Sequence, residues 1–181
     1  MQGPTHILVG ISLEKIFSKK RMQPVVRFVV IAVIALFLHS VFDRIARITY
    51  HPPDARYHDP FWVGWHLIIY GLTIYMLVKY WRKYPIGITF SILPDFDWVI
   101  LHGSKALMGE HPIWYQTGHI HQFLHNITDA VPPFSLLHQH LPDRTDDKLG
   151  FLWEALIIIS LLLFIRWLDK RAERVESKTE N

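Results

Sequence analysis

The sequence predicts an all-α protein, a multi-pass membrane bundle of about four spanning helices preceded by a short N-terminal half-span. Half of the 181 residues are apolar and 14% are aromatic, and the mean hydropathy is positive at +0.17. The apolar residues form long runs close to the ~20 residues that a bilayer requires. The basic residues flank those runs mainly on one side, as in membrane proteins with a fixed orientation.

The first apolar run, residues 7–17, is too short to cross a bilayer and contains Glu14 and Lys15. It is therefore predicted to be a half-span. Residues 24–42 form the first predicted span, in which Arg27 is the only formal charge. A polar connection then leads to the second predicted span, residues 61–80.

The third apolar segment, residues 85–101, is interrupted by the sequence Leu-Pro-Asp-Phe-Asp-Trp. Pro94 removes a backbone donor and disfavours helical geometry in the residue before it, so the predicted helix ends or kinks there. An ionised Asp in a spanning helix costs about 2.5–3.5 kcal/mol. Asp95 and Asp97 therefore predict a cationic partner or a water-filled cavity. A surface turn that caps the next helix is the alternative interpretation.

The connection that follows, residues 103–150, carries six of the twelve histidines and no spanning run. Loops of this length are usually functional when they are ordered, and we expect this one to be partly helical. Residues 151–168 form the last predicted span. The predicted organisation is one membrane-embedded domain over residues 1–168 and a charged cytoplasmic tail over residues 169–181.

Charge placement predicts the orientation. Thirteen of the nineteen basic residues lie before the first span, between the second and third, or at the end of the fourth and beyond: Lys15, Lys19, Lys20, Arg21, Arg27, Lys79, Arg82, Lys83, Arg166, Lys170, Arg171, Arg174 and Lys178. The positive-inside rule places that face, with both termini, in the cytoplasm. The predicted location is the cell (inner) membrane.

Several classes of site are excluded by composition and motif. The chain has no cysteine, so disulfides and thiolate metal sites are absent. Its basic residues do not form a cluster with interleaved aromatic residues, so nucleic acid is not an expected partner. The serine-hydrolase elbow, the phosphate loop and the dinucleotide fingerprint do not occur. The N-terminus lacks the features of a cleaved signal peptide and is expected to be retained.

Helix geometry brings distant ionisable residues to similar depth. If residues 18–23 form a cytoplasmic turn, His6 and His39 are each about sixteen residues from it, or roughly 24 Å of helix. Asp95 is ten residues past Pro85, so roughly 15 Å from the start of its helix, and His66 enters from the outer end of the second span. We therefore expect several ionisable groups to meet in the outer half of the bilayer.

One short pattern occurs twice. Phe-Leu-His-x-x-x-Asp covers residues 37–43 and residues 123–129, and His121 extends the second copy. Spacing of four places His39 with Asp43, and His121 with His125 and Asp129, on one helical face, where such pairs can bind a metal together. A lone His39 would be interpreted as a core histidine, but the set indicates a metal site. The remaining histidines are expected to be exposed or peripheral in loops (His51, His58, His111, His138 and His140), or intermediate (His66 and His102).

These residues resemble a known family. Four motifs are similar to those of the membrane-bound metal-dependent hydrolases of the YdjM type. They are Thr5-His6 at the start of an apolar helix, Leu-Pro-Asp-x-Asp at residues 93–97, His-x-x-x-His at 121–125 and a membrane-embedded His-x-x-x-Asp. The resemblance covers about residues 5–130. It implies that these groups are the metal and active-site residues of an inner-membrane-associated hydrolase.

Ligand chemistry suggests how such a hydrolase would act. Histidine and aspartate without cysteine suit zinc, with manganese or iron as alternatives, and the ligand pool is large enough for one or two ions. A bound ion activates water for ester or phosphoester hydrolysis without a nucleophilic side chain. Whichever of Asp97 or Asp129 stays off the metal is the expected general base. The expected partners are membrane lipids, with a lipid-linked or membrane-proximal ester as substrate. The predicted ligands are His6, His39, Asp43, Asp95, Asp97, His121, His125 and Asp129.

Two other functions fit the same residues. Intramembrane His and Asp chains also mark ion pathways, so a metal-ion or proton transporter is the first alternative, and the repeated pattern would then be the trace of an internal repeat. The second alternative is a non-catalytic membrane protein in which the metal clips the long connection onto the bundle.

Overall fold

The computed structural model describes residues 2–18, 22–52, 56–108 and 118–179, and every regular element within them is helical. The fold-class prediction of an all-α chain is confirmed. Two short 3-10 turns, Ala46–Ile48 and Leu93–Asp95, lie between helices. The helices are α1 (Gly3–Ser18), α2 (Pro24–Ile45), α3 (Pro60–Tyr80), α4 (Pro85–Ile92), α5 (Phe96–Met108), α6 (His119–Asp129), α7 (Phe134–His140) and α8 (Gly150–Thr179).

Within the described residues, three stretches are long and apolar enough to cross a membrane: Pro24–Ile48, Pro60–Tyr80 and Gly150–Arg174. They contain the spans predicted at residues 24–42, 61–80 and 151–168. At most 33% of the most apolar window of each is buried inside the protein. Their remaining apolar surface needs an apolar environment, which a bilayer supplies. Helix α8 continues through the predicted tail as far as Thr179.

The predicted third span is broken as Pro94 requires. Helix α4 ends at Ile92, the turn Leu93–Asp95 follows, and α5 starts at Phe96. The N–H that Pro94 lacks explains the interruption. Leu93 itself keeps right-handed helical backbone angles, φ −52° and ψ −43°, so the expected restraint on the residue before proline is not observed. Neither α4 nor α5 is long enough to cross a bilayer alone, so this segment is not among the three candidate spans. The count of four spans remains a prediction.

Helix α1, the predicted half-span, is an interior helix. Every residue from Pro4 to Leu13 is buried, and α1 packs most extensively on α4, with α8, α2 and α3 around it. The contact with α4 is a close backbone approach, because a Cβ atom on Gly10 would lie 2.3 Å from the carbonyl oxygen of Gly87. The Gly87 N–H donates to Glu14 Oε2 at 2.8 Å. These contacts hold the middle and the second half of α1 against α4.

Ion pairs mark the two ends of the bundle. At one end Lys15 pairs with Asp169, and its ammonium lies 5.3 Å from the centre of the Tyr84 ring. At the other end the connection between α2 and α3 meets the loop before α8, where Lys148 Nζ lies 2.8 Å from Asp59 Oδ2. Lys148 thereby lowers the pKa of Asp59. The termini of α1 and α8 that carry the basic residues are thus at the same end.

The long connection is partly helical, as predicted, because it contains α6 and α7. Helix α6 packs on α2, on the Leu93–Asp95 turn and on α5. It therefore lies across the break in the third apolar segment. Residues 109–117 of the connection, including His111, lie outside the described residues.

Candidate metal centre

Asp43, near the end of α2, lies at the centre of a group of histidines from three helices. Its Oδ1 lies 3.2 Å from Nε2 of His6. Its Oδ2 lies 3.1 Å from Nε2 of His39 and 3.4 Å from Nε2 of His121. Only 13% of the Asp43 side chain is exposed, and each of the three histidines is more deeply buried. Helices α1, α2 and α6 thus meet at one carboxylate.

His39 is oriented by the backbone of the neighbouring helix α4. Its Nδ1 lies 2.7 Å from the carbonyl oxygen of Ser91, a distance at which Nδ1 donates a hydrogen bond. The carbonyl can only accept, so Nδ1 carries a proton, and in the neutral ring Nε2 presents a lone pair. That lone pair points into the group that contains Asp43.

His121 is oriented in the same sense by Asp97, which has no exposed surface. Asp97 Oδ2 accepts the backbone N–H of His121 at 2.7 Å and lies 3.1 Å from its Nδ1. A Cβ on Gly118 would lie 3.3 Å from this oxygen, so glycine leaves room for the approach. A carboxylate behind one ring nitrogen is the arrangement that fixes and strengthens metal-binding histidines. The Nε2 atom of His121 is left facing Asp43.

His6 is brought to the group by α1. Its ring stacks on that of His39, with centroids 3.9 Å apart and planes 19° from parallel. The side chain is 1% exposed. Within the described part of the chain Nδ1 has no hydrogen-bond partner, and Nε2 faces Asp43 Oδ1 at 3.2 Å without the alignment of a hydrogen bond. A buried ring nitrogen that approaches a carboxylate without a well-formed hydrogen bond requires an explanation. A bound cation at Nε2 supplies one.

The spacing of the donor atoms fits a metal ion. The Nε2 atoms of His39 and His121 are 3.2 Å apart, and both carry lone pairs if their Nδ1 atoms are protonated as their partners require. Together with the Asp43 oxygen, three electron-rich atoms then face one another, which is unfavourable without a cation or a proton between them. Zinc–nitrogen distances of about 2.0–2.1 Å in a tetrahedral site place neighbouring donors roughly 3.3 Å apart. The observed spacings of 3.1–3.4 Å agree with that value.

Asp95 lies at the rim of the same group. Its Oδ1 is 3.9 Å from His39 Nε2, and its side chain is 34% exposed, against 13% for Asp43. In the part of the chain that the structure describes, two overlapping sets of donors are therefore close enough to hold an ion: His6, His39 and Asp43, and His39, Asp95 and His121. Both sets contain His39. The geometry accommodates one ion with several candidate ligands, or two ions that share this histidine.

Three predicted ligands do not belong to either set. His125 Nδ1 lies 2.9 Å from Ser40 Oγ, and burial, followed by the nearby Arg44, lowers the pKa of His125 to about 4. Asp129 forms an ion pair with Arg44, which supplies the cation that its charge needs. Asp97 stands behind His121 as an orienting group. Helix periodicity places these residues near the group but cannot reveal the partners that they meet instead.

The remaining histidines are peripheral. His66 Nδ1 lies 2.7 Å from its own helix carbonyl at Trp62, and His51 Nδ1 lies 3.1 Å from Gln2 Nε2. Burial lowers the pKa of His51 to about 3. His58 and His140 are exposed, as predicted. His111 and the side chains of His102 and His138 lie outside the described residues.

Some residues around the site were not singled out by sequence. Ser40 and Thr128 are fully buried or nearly so, and their hydroxyl oxygens are 2.6 Å apart, which joins α2 to α6. Glu154 is completely buried in α8 and accepts a hydrogen bond from Thr5. Glu154 does have a sequence signal, since it is the one acidic residue in the predicted span 151–168. Serine and threonine hydroxyls in apolar helices carry no comparable signal.

Comparisons of this chain with protein-family models, with curated proteins and with solved structures find no match.

Proposed function

We propose that this protein is a membrane-bound hydrolase that uses a divalent metal held by His6, His39, Asp43, His121 and Asp95. The observation that carries the proposal is the convergence of the three facing donor atoms of His39, His121 and Asp43. The mixed nitrogen and oxygen donor set suits zinc first, with manganese or iron as alternatives. When bound, such an ion lowers the pKa of water to about 7 and polarises a carbonyl or phosphoryl oxygen.

The protein's own residues divide the remaining tasks. Ser91 and Asp97 hold the Nδ1 protons of His39 and His121, so both Nε2 atoms remain donors to the metal. Asp129 is tied to Arg44 and Asp97 to His121, so neither matches the role of general base expected from sequence. Asp95 is better placed for it, because its carboxylate is beside the group and partly accessible.

The surroundings of the site support a substrate that approaches from the bilayer. A groove of about 640 Å³ is lined by residues of α3 and α4 and by Leu93 and Phe96, the residues that flank the Pro94–Asp95 pair. Its walls are almost entirely apolar, and Arg82 is the one charged residue among those that line it in the described part of the chain. Hydrocarbon fits such walls, and a lipid-linked or membrane-proximal ester or phosphoester is therefore the proposed substrate class.

The proposed orientation follows the charges. The end of the bundle that contains Lys15 and the C-terminal end of α8 would be cytoplasmic, with the C-terminus on that side of the cell membrane. The start of α1 would then face the other side, because Gln2 contacts the connection after α2. The metal group would then lie towards the outer half of the bilayer, because His39 and Asp43 are near the far end of α2. Hydrolysis in that half would act on lipid-linked groups carried in the outer leaflet.

One experiment tests the function in two steps. Purified protein in detergent is first analysed for bound metal by mass spectrometry, and an amount of zinc at least equimolar with the protein is expected. Zinc-loaded protein is then assayed for hydrolysis of phosphatidic acid in mixed micelles and of p-nitrophenyl acetate. The matched variants are Asp95→Asn, which should abolish turnover, and Asp129→Asn, which should retain it.

The alternatives make different predictions in the same preparation. A transporter reconstituted in vesicles would move zinc to an internal fluorescent indicator, and Asp95→Asn would stop that uptake. A non-catalytic metal clip would retain zinc but show neither hydrolysis nor uptake. Absence of bound metal from the wild-type protein would contradict the proposed hydrolase.

A further inference from the structure

Glu154 occupies an unusual place for a charged residue. It lies one turn into α8, within the candidate span Gly150–Arg174, and has no exposed surface. Acidic groups inside membrane helices are costly and mark functional positions by default. Nothing in the metal centre uses Glu154 as a ligand, because it is in neither set of converging donors.

The carboxylate is bonded to the residue that precedes His6. Thr5 Oγ1 donates to Glu154 Oε1 at 2.6 Å, and both residues are completely buried. Thr5 is in the first turn of α1, where a carboxylate also interacts favourably with the helix dipole. Glu154 therefore contacts α1 next to the metal-facing ring.

Helix α8 is itself fixed at this level. A Cβ on Gly150 would lie 2.4 Å from the backbone nitrogen of Tyr50, so α8 begins in direct contact with the backbone after α2. The side-chain amide of Gln2 reaches the same segment, with Nε2 3.4 Å from the Tyr50 carbonyl oxygen. The start of α1 is thus held between α8 and the connection that follows α2.

We infer that Glu154 is a positioning residue for the metal centre: through Thr5 it sets the height and rotation of α1, and so places His6 Nε2 against Asp43. The inference rests on the proposed metal site. Its basis is one continuous contact chain, from Glu154 Oε1 to Thr5 Oγ1, and from the adjacent His6 to Asp43 at 3.2 Å. Without the carboxylate, α1 keeps its apolar packing but loses the polar contact that defines its register.

The test measures zinc affinity by competition with a fluorescent chelator in detergent. Thr5→Val removes only the hydroxyl, and Glu154→Leu removes the acceptor; each should weaken zinc binding about tenfold, the range for groups that orient metal ligands. Glu154→Gln keeps an oxygen acceptor and should restore most of the affinity. Ser160→Ala is the matched control on α8, since the Ser160 hydroxyl bonds only the carbonyl of Leu156 one turn earlier, and it should bind zinc like the wild type.

A double-mutant cycle separates positioning from general support of the fold. If Glu154 acts through His6, adding Glu154→Leu to His6→Gln should change zinc affinity by less than about twofold. An equal loss in both backgrounds would overturn the inference, as would zinc binding by Thr5→Val and Glu154→Leu within about twofold of the wild type. If Glu154→Leu fails to fold, the zinc affinity of Thr5→Val compared with that of the wild type still tests the inference.

Zinc binding by the wild-type protein distinguishes a failure of the proposed metal site from a failure of the positioning role of Glu154. If the wild-type protein binds no zinc, the metal site fails and the role of Glu154 fails with it. If the wild type binds zinc and the Thr5 and Glu154 variants bind it equally well, only the positioning role is overturned.

Discussion

Two copies of one seven-residue pattern lie side by side in this bundle and have different partners. In the first copy, on α2, His39 and Asp43 face each other at 3.1 Å with a second imidazole 3.4 Å from the carboxylate. In the second, on α6, His125 contacts the Ser40 hydroxyl and Asp129 pairs with Arg44. Identical spacing on a helix has therefore produced a candidate metal group in one place and a hydrogen-bonded support in the other.

The difference lies in what the neighbouring elements supply. The first copy is surrounded by imidazole nitrogens from α1 and α6, which gather lone pairs around one point. The second copy meets a guanidinium, which neutralises Asp129 within the protein. A motif defines which side chains share a face, and the facing helices decide whether that face needs a metal.

The largest effect on zinc affinity should come from replacing the aspartate of the first copy with asparagine, compared with the same replacement in the second copy. Asp43→Asn removes the oxygen charge at the centre of three imidazoles, and we expect zinc affinity to fall by at least about 100-fold. Asp129→Asn changes the same residue type at the same place in the second copy and should bind zinc within about threefold of the wild type. Metal content after dialysis, measured by mass spectrometry, compares the two. Equal metal loss from both variants would make the second copy part of the centre.

A second prediction concerns the group that orients His121. Asp97→Asn leaves the side chain in place but replaces the charged acceptor behind Nδ1, so zinc affinity should fall about 10- to 100-fold, as for other orienting carboxylates. Asp59→Asn, in the ion pair with Lys148, is the matched control and should leave zinc affinity unchanged. If Asp97→Asn loses zinc as completely as Asp43→Asn, Asp97 is a direct ligand, as the sequence predicted.

Features that depend on local chemistry could be predicted from the sequence. The three apolar helices follow from hydropathy, the break follows from Pro94, and the pairing of His39 with Asp43 follows from a spacing of four on one helix. Each of these is decided within a few residues of chain. The convergence of His6, His39 and Asp95 also followed from depth, because the rise per residue fixes height.

Features that depend on helix rotation could not be predicted. The position of a residue along the bundle axis does not predict that the Ser91 carbonyl contacts His39, or that Arg44 pairs with Asp129. Both contacts join residues more than fifty positions apart, and a rotation of either helix by one residue would change the partner. The expectation that Asp129 is a ligand follows from its own helix and stays a prediction, but α2 supplies Arg44 as a cationic partner that helix periodicity could not reveal.

A third prediction tests the hydrogen bonds that join the two copies. Ser40 Oγ lies 2.9 Å from His125 Nδ1 and 2.6 Å from Thr128 Oγ1. Ser40→Ala removes the hydroxyl partner of the partly buried His125 Nδ1, while Thr128 keeps its bond to the Leu124 carbonyl, and the free energy of unfolding should fall by about 1–2 kcal/mol. Zinc affinity should change little, because His39 and Asp43 keep their own contacts. Ser160→Ala, measured in the same thermal unfolding assay, is the control; a large loss of zinc would show that α6 cannot move independently of the centre.

The smallest effect concerns the pH dependence of the second copy. The pKa of His125 is lowered from 6.5 to about 4 by burial and then by Arg44, so the folded protein keeps this ring neutral where the unfolded chain protonates it. Between these two values the unfolded state binds more protons, and stability therefore falls as the pH is lowered from about 6.5 towards 4. Over one pH unit a single histidine changes the free energy of unfolding by at most about 1.4 kcal/mol.

The variant His125→Gln removes this contribution. Its melting temperature should therefore fall less than that of the wild type between about pH 7 and pH 5.5, with both proteins saturated with zinc. An identical slope for the two proteins would mean that the fold does not lower the pKa of His125, and this ring would then take up its proton over the same pH range as in the unfolded chain.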